Sequence, residues 1–168
     1  PINFEGTVKF SSYVEAGVEN HTRKTNPLVD YGPFGKHLVV EELKSDEDYI
    51  LYQGETKNSK LSMACGSVVV TDGHMTECVI GEEDGYTSYE VYAEEGKEVT
   101  FEKMIAYTSE LDMPKEEILP FIRAKLSEAK VLGYDKYEAL QKEKMDEFWS
   151  KADIKIEGDE LSLIHISE

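Results

Sequence analysis

DKYEALQKEKMDEFWSKADIKIEGD, Asp135 to Asp159, shows a start, a packing face, an exit and a change of period in one short run. Asp135 can cap a helix, and Glu138 three residues on can return the contact to the cap's own N–H. Tyr137, Ala139, Leu140, Met145, Phe148 and Trp149 follow at roughly the three-four spacing that gathers apolar side chains on one helix face. Such a face needs a body to pack on. From Asp153 the period becomes two, Asp-Ile-Lys-Ile-Glu, and Gly158-Asp159 marks a turn. A helix of about four turns therefore lies against something else, and the chain leaves it as a short extended segment.

Within 168 residues there is room for one domain, or for one domain plus a connector, with a core of useful size. A hydrophobic content of 40% separates the chain from disordered sequences in spite of its charge. Thirty-five acids against eighteen bases leave a net charge of −17, which repels phosphate backbones and anionic lipid. Nucleic acid and membrane are set aside as partners on that ground, while a neutral ligand such as a sugar stays open. Acidity also serves solubility alone. No apolar run approaches bilayer-spanning length, and no charged-then-apolar leader opens the sequence. Pro1 stands where an initiator Met would, which fits processing or excision from a longer protein. Cys65 and Cys78 each lie in an apolar, strand-like run. A disulfide between neighbouring strands and a pair of buried free thiols both fit, and free thiols suit a reducing cytosol.

Upstream of the helices the period is two. Residues 2 to 19 put Phe4, Val8 and Phe10 on one parity and Glu5, Thr7 and Lys9 on the other, a half-buried strand with Glu15-Ala16-Gly17 as bend or bulge. Asn20 to Lys36 is broken by Asn-Pro, Gly-Pro and Gly, and carries Arg23 and Lys24. It reads as a long loop, either a surface crossover or a functional loop. His37 to Leu43 and Asp48 to Thr56 read as strands joined by Lys44-Ser45-Asp46-Glu47. Tyr49, Ile50, Leu51 and Tyr52 leave neither face of the second strand polar, so both faces are expected to be covered. Ser59 to Thr71 is a long apolar strand with Gly66 as its expected bulge. Thr76 to Ile80, Tyr86 to Ala93 and Lys97 to Ser109 complete a run of strands at short spacing without intervening helices, which predicts an antiparallel β-sandwich and a mainly β fold.

The pattern changes after Ser109. Asp112-Met-Pro114 looks like a helix start, and Ile118, Ile122, Leu126 and Ala129 form an apolar stripe ending near Gly133. Pro120 conflicts with one smooth helix, which predicts a kink there or a start at about Leu119. Two helices joined by Gly133-Tyr-Asp135 are thus expected, burying their faces on each other, on the sandwich or on another body.

Chemistry is harder to find. His21, His37, His74 and His165 are scattered, with no helical pairing that would hold a metal. Asp72-Gly-His and Glu82-Glu-Asp-Gly85 lack the alternating oxygen ligands of a calcium loop and read as turns. There is no phosphate-cradling glycine loop, nucleophile elbow or Cys/His pairing. Among so many acids, no carboxylate pair stands out for glycoside chemistry. Tyr49, Tyr52, Tyr86, Tyr89, Tyr92 and Tyr107 could stack on sugar rings, but their alternation with polar residues favours sheet packing. No catalytic, cofactor-binding or metal-binding residue is assigned.

Trp149-Ser-Lys-Ala-Asp153-Ile-Lys-Ile-Glu-Gly158-Asp159, with Leu132-Gly133-Tyr134 and Val99 to Ser109 before it, resembles glycoside hydrolase family 65. Val18-Glu-Asn20 and Lys36-His37-Leu38 are similar to the same family's sandwich, and the likeness spans about residues 1 to 160. The resemblance implies a galactose-mutarotase-like N-terminal super-sandwich, present in part over residues 1–109, a helical linker over 110–152, and entry to an (α/α)6 catalytic barrel over 153–160. The family's catalytic glutamate and phosphate-binding residues belong to that barrel, so no position here inherits those roles. The implied parent reaction is inverting phosphorolysis of maltose, kojibiose, trehalose or a similar alpha-glucosyl disaccharide, with inorganic phosphate as co-substrate; some relatives hydrolyse instead. It further implies the barrel as intrachain partner, the disaccharide as the parent's substrate, a possible homodimer and a cytoplasmic setting. Leu161 to Glu168 departs from the family and looks like translated adapter sequence. The alternative is a free-standing sandwich module that binds carbohydrate or protein.

Overall fold

A computed structural model describes residues 4–20 and 35–152. Nine strands and two helices follow one another among them: β1 (Gly6–Glu15), β2 (Glu19–Asn20), β3 (Gly35–Lys36), β4 (Leu38–Asp46), β5 (Tyr49–Thr56), β6 (Ser62–Thr71), β7 (His74–Ile80), β8 (Asp84–Ala93), β9 (Phe101–Ser109), α1 (Lys115–Leu132) and α2 (Tyr134–Ala152). The strands form two antiparallel sheets, β1-β8-β7 and β4-β5-β6-β9, and a small β2-β3 ribbon. The expected fold class, an antiparallel sandwich followed by helices, is what the chain adopts. The extended run after Ala152, the tail with His165, and the loop between Asn20 and Gly35 with His21, Arg23 and Lys24 lie outside the described residues.

The chain divides into two compact units, Pro1–Val131 and Leu132–Glu168. In the first unit the two sheets meet through aromatic side chains. Phe10 of β1 stacks on Phe101 of β9 at 5.1 Å, and Tyr89 of β8 meets Phe101 edge-on at 6.0 Å. On the other face of the four-stranded sheet, Ile118, Leu119, Ile122 and Leu126 of α1 cluster with Tyr49, Leu51, Ala64 and Val68. Strand β5 is therefore covered on both faces, as its unbroken apolar run implied: Tyr49, Ile50, Leu51 and Tyr52 are only 2–3% exposed. Each fully buried aliphatic side chain in this layer contributes about 1.5–3 kcal/mol.

Gly66 is not a bulge. Strand β6 keeps continuous register through it with both β5 and β9. Its role is clearance: a Cβ at Gly66 would stand 2.7 Å from Ile122, 2.8 Å from Leu126 and 2.9 Å from Leu51. The glycine admits α1 against the sheet.

Four further expectations need correction. The β4–β5 connection is not the four-residue turn from Lys44 to Glu47, because strand pairing continues to Asp46↔Tyr49 and leaves only Glu47 and Asp48 in the turn. Glu47 takes φ of 56°, which a two-residue hairpin demands. Helix α1 does not wait for Leu119; it runs from Lys115 through Pro120. A proline inside a helix costs about 3 kcal/mol, yet starting early lets Ile118 and Leu119 both be buried, and that burial offsets the cost. Asp135 is not a cap, since α2 begins at Tyr134 directly after Gly133 with φ of 75°. Gly133 ends α1 in the left-handed conformation, its carbonyl accepts the N–H of Tyr137 at 3.4 Å, and Asp135 falls in the first turn. Phe4, finally, stands before β1 and is half exposed, whereas Val8 and Phe10 of the same parity are partly buried.

Candidate functional site

Charge as well as apolar contact holds α1 to its sheet. Lys115 Nζ donates to Glu41 at 2.6 Å, Lys130 Nζ to Asp48 at 2.5 Å, and Arg123 donates to Asp46 at 2.6 Å and to Glu47 at 3.3 Å. The Arg123 guanidinium also lies 3.5 Å over the ring of Tyr49. The hydrogen bond from Lys115 holds the Glu41 carboxyl below its ordinary range, and the same contact raises the Lys115 ammonium. Asp48 raises Lys130 in the same way. Pairs this exposed are each worth little in stability, so their use is registration of the helix on the acidic strand β4 and its turn. Three bases on one flank of a helix could in other settings hold a phosphate. Here each faces a carboxylate.

A cleft of about 230 Å³ lies between the sheets beside β1 and β9. Tyr52, Cys65, Ser67, Lys103, Ile105 and Tyr107 line it from the four-stranded sheet, and Tyr13 to Ala16 with Val18 line it from the other side. Burial pushes the Cys65 thiol up, against a hydrogen bond with Tyr107 that acts the other way, so Cys65 is a protonated and weak nucleophile. Lys103 Nζ is occupied with the carbonyl of Tyr13 at 2.6 Å. The Tyr52 hydroxyl is buried with no hydrogen-bond partner, and burial raises its pKa. The cleft has walls suited to packing and no assembled acid, base or nucleophile.

The residues singled out in the sequence are dispersed. His74 opens β7 in an exposed position, while His37 sits between β3 and β4 with a buried, unpartnered Nε2. Asp72 accepts the backbone N–H of Thr100 at 2.8 Å, fixing the approach to β9. In the turn before β8, the Glu83 carbonyl accepts the N–H of Ala16 at 2.7 Å and its carboxylate pairs with Lys36. Both acidic turns thus tie strands together. No group of His, Cys, Asp and Glu fit to hold a metal occurs among the described residues. Cys65 and Cys78 are both free and belong to different sheets. Tyr49, Tyr52 and Tyr89 are buried, Tyr86 pairs with Tyr13 at 5.2 Å, and Tyr92 and Tyr107 are exposed. None of the described helices is long and apolar enough to cross a membrane.

The second unit presents a different surface. No residue of α2 is buried, and Tyr134, Tyr137, Leu140, Met145, Phe148 and Trp149 are all exposed. Phe148 and Trp149 form an edge-on pair at 5.1 Å. Sequence reading found this stripe but missed the clamp on α1. The signal was there: Lys115, Arg123 and Lys130 recur at two-turn intervals on one flank of the helix, facing the acids of β4.

Comparison with known proteins bears on both units. A family model described as glycosyl hydrolase family 65, N-terminal domain, matches residues 1–148. An alpha,alpha-trehalose phosphorylase of Thermoanaerobacter brockii is 27% identical over 162 residues, 95% of this chain and 21% of the relative. One from Geobacillus stearothermophilus is 30% identical over 164 residues, 95% of this chain and 20% of the relative. In three dimensions the chain is similar, at a TM-score of 0.65 and 8% identity, to a human-microbiome protein provisionally described as a kojibiose phosphorylase, over 88% of this chain and 18% of the other. At that identity the likeness concerns the fold alone. The chain spans about a fifth of the length of the curated relatives it matches.

Proposed function

The chain belongs to glycosyl hydrolase family 65 through its N-terminal domain, and from that premise we propose that it is the non-catalytic scaffold of a longer sugar phosphorylase. The observation that carries this reading is the state of α2. Its apolar stripe has no residue buried within this chain, and a stripe of that size on a helix calls for a partner surface. A helical catalytic domain of the same polypeptide is the partner we assign. The two curated relatives are named for phosphorolysis of alpha,alpha-trehalose, and we extend that reaction class to the parent: attack of inorganic phosphate on an alpha-glucosyl disaccharide, with trehalose, kojibiose and maltose as candidates. Phosphate is a co-substrate in this scheme and no cofactor is required. The role of the present residues is to support that catalytic domain rather than to carry its chemistry. Two free thiols suit a reducing compartment, and we place the polypeptide in the cytoplasm.

The test is enzymatic. The 168-residue chain is expected to release no glucose 1-phosphate from trehalose, kojibiose or maltose with phosphate, and the longer polypeptide to release it from one of them. Release by the short chain alone would contradict the scaffold role.

A further inference from the structure

Helix α2 lacks the support that α1 has. Most helical stability in proteins comes from packing one face on another element, and pairs along the helix surface add little to it. Helix α1 buries Ile118, Leu119, Ile122 and Leu126, and its bases are bonded to β4 and the turn after it. Helix α2 has 19 residues and buries none of them. Among the described residues, the ion pairs, side-chain hydrogen bonds and ring contacts of α2 all stay within it. Glu147 pairs with Lys144 at 3.8 Å and with Lys151 at 3.0 Å, Ser150 Oγ donates to the Glu147 carbonyl at 2.7 Å, and Phe148 meets Trp149.

Nor can helical order spread into α2 from its neighbour. Gly133 stands between the helices with φ of 75°, a left-handed residue that ends a helix rather than continuing it. Helix α2 must therefore nucleate by itself, at a penalty on the order of 10⁻³ in equilibrium constant. Its entry has no side-chain cap, since glycine precedes Tyr134, and the first turn closes through a long bond from the Tyr137 N–H to the Gly133 carbonyl, 3.4 Å. Asp135 in the first turn and Lys151 in the last suit the helix dipole, a weak effect on an exposed surface. Isolated helices shorter than about 12–15 residues are marginal in water even when rich in alanine. Helix α2 is little longer, has Ala139 and Ala152 as its only alanines, and includes Tyr134, Tyr137, Phe148 and Trp149, all of lower propensity.

We propose that α2 is a conditional helix: in this chain it interconverts with open chain, and it becomes persistently helical only when the stripe from Tyr137 to Trp149 is covered. This rests on the partner surface assigned to the stripe above. Helix and stripe then depend on each other. Tyr137, Leu140, Met145, Phe148 and Trp149 share one face only at helical spacing, so the open chain disperses them and offers no continuous apolar patch. Covering the stripe supplies the packing that α2 lacks, and its folding and docking become one event. Interconversion of a helix of this length takes up to about a microsecond, while α1, buried over β5 and β6, holds its order throughout.

Residue-resolved hydrogen exchange on the 168-residue chain in dilute solution tests this. Once intrinsic sequence effects are removed, amides of α2 from Leu140 to Phe148 are expected to exchange at least about a hundredfold faster than those of α1 around Ile122 and Leu126. A smaller difference overturns the conditional helix. Glu143→Gly, on the face opposite the stripe, should speed exchange in α2 about threefold further and leave the urea midpoint of the first unit unchanged. A midpoint that moves with this variant makes α2 part of the first unit's cooperative structure and overturns the inference too. The longer polypeptide separates the inference from the reading beneath it. Slow exchange of α2 there, with fast exchange in the short chain, supports both. Slow exchange already in the short chain removes the conditional helix alone, and exchange equally fast in both removes the covering partner and the coupling with it.

Discussion

Helices α1 and α2 follow each other with one glycine between them and are nearly equal in length, 18 and 19 residues. Both are amphipathic by sequence. Yet α1 buries Ile118, Leu119, Ile122 and Leu126 and is flanked by ion pairs to β4 and the turn after it, whereas α2 buries nothing. The difference teaches that an apolar stripe specifies that a helix docks, and the residues around the stripe specify where. Around α1 those are the bases Lys115, Arg123 and Lys130, matched to Glu41, Asp46, Glu47 and Asp48, and a glycine opposite that gives it room. Around α2 the ion pairs are internal to the helix, such as Lys151 with Glu147.

The contrast can be broken most forcefully at the core of α1. Ile122→Ala is expected to cost about 2–5 kcal/mol in urea unfolding, because Ile122 is fully buried over the sheet. Phe148→Ala on α2, by contrast, should change the stability of this chain by less than about 0.5 kcal/mol. An equal loss at both positions would erase the distinction between the helices. Next in size is Gly66→Ala, whose methyl would meet Ile122, Leu126 and Leu51 within 2.9 Å. A loss of about 1–3 kcal/mol is expected, and an unchanged midpoint would remove clearance as the reason for that glycine.

Smaller effects sharpen the account of the clamp. Arg123→Ala removes a cation–π contact and two carboxylate bonds, and a loss of about 1 kcal/mol is expected, with less than half retained by Arg123→Lys because a point charge cannot reproduce the fork and the stacking. The least effect is that of pH on the Glu41–Lys115 pair. Glu41 titrates lower in the folded state than its ordinary 4.5, so its contribution is present above that value and is lost as pH falls through the depressed folded pKa. Lys115 titrates above its ordinary 10.5, so its contribution is present below that value and fades only as pH rises through the raised one. Glu41→Gln should lower stability slightly at neutral pH and leave it nearly unchanged at the acid end, flattening the acid limb, which a series of melts from pH 3 to 7 would show.

Much of this was legible in the sequence, for reasons that differ by element. Period-two alternation located the strands because each buries one face, and the unbroken run of Tyr49 to Tyr52 announced β5 as covered twice. Gly66 was misread because a bulge and a close helix approach both ask for a missing side chain, and only the neighbour at 2.7 Å tells them apart. Pro120 left two readings open, a kinked helix or a later start, because local propensity opposes a helix there, and the early start is decided by tertiary burial of Ile118 and Leu119. Asp135 carried the right residue type for a cap, but Gly133 left no connecting residues to place it in that position. The cleft beside β1 and β9 was invisible in advance, since it is formed by Tyr13, Tyr52 and Tyr107, residues far apart in the chain whose meeting depends on sheet order.

The central claim is that α2 was shaped to lie against a larger body of the same polypeptide. Oxidative footprinting of Phe148 and Trp149, the latter the one tryptophan of this chain, in the short chain and in the longer polypeptide tests it most directly. The account predicts fast labelling of both rings in the short chain and labelling slowed on the order of tenfold in the longer one as the stripe is covered. Equal labelling in the two would contradict it.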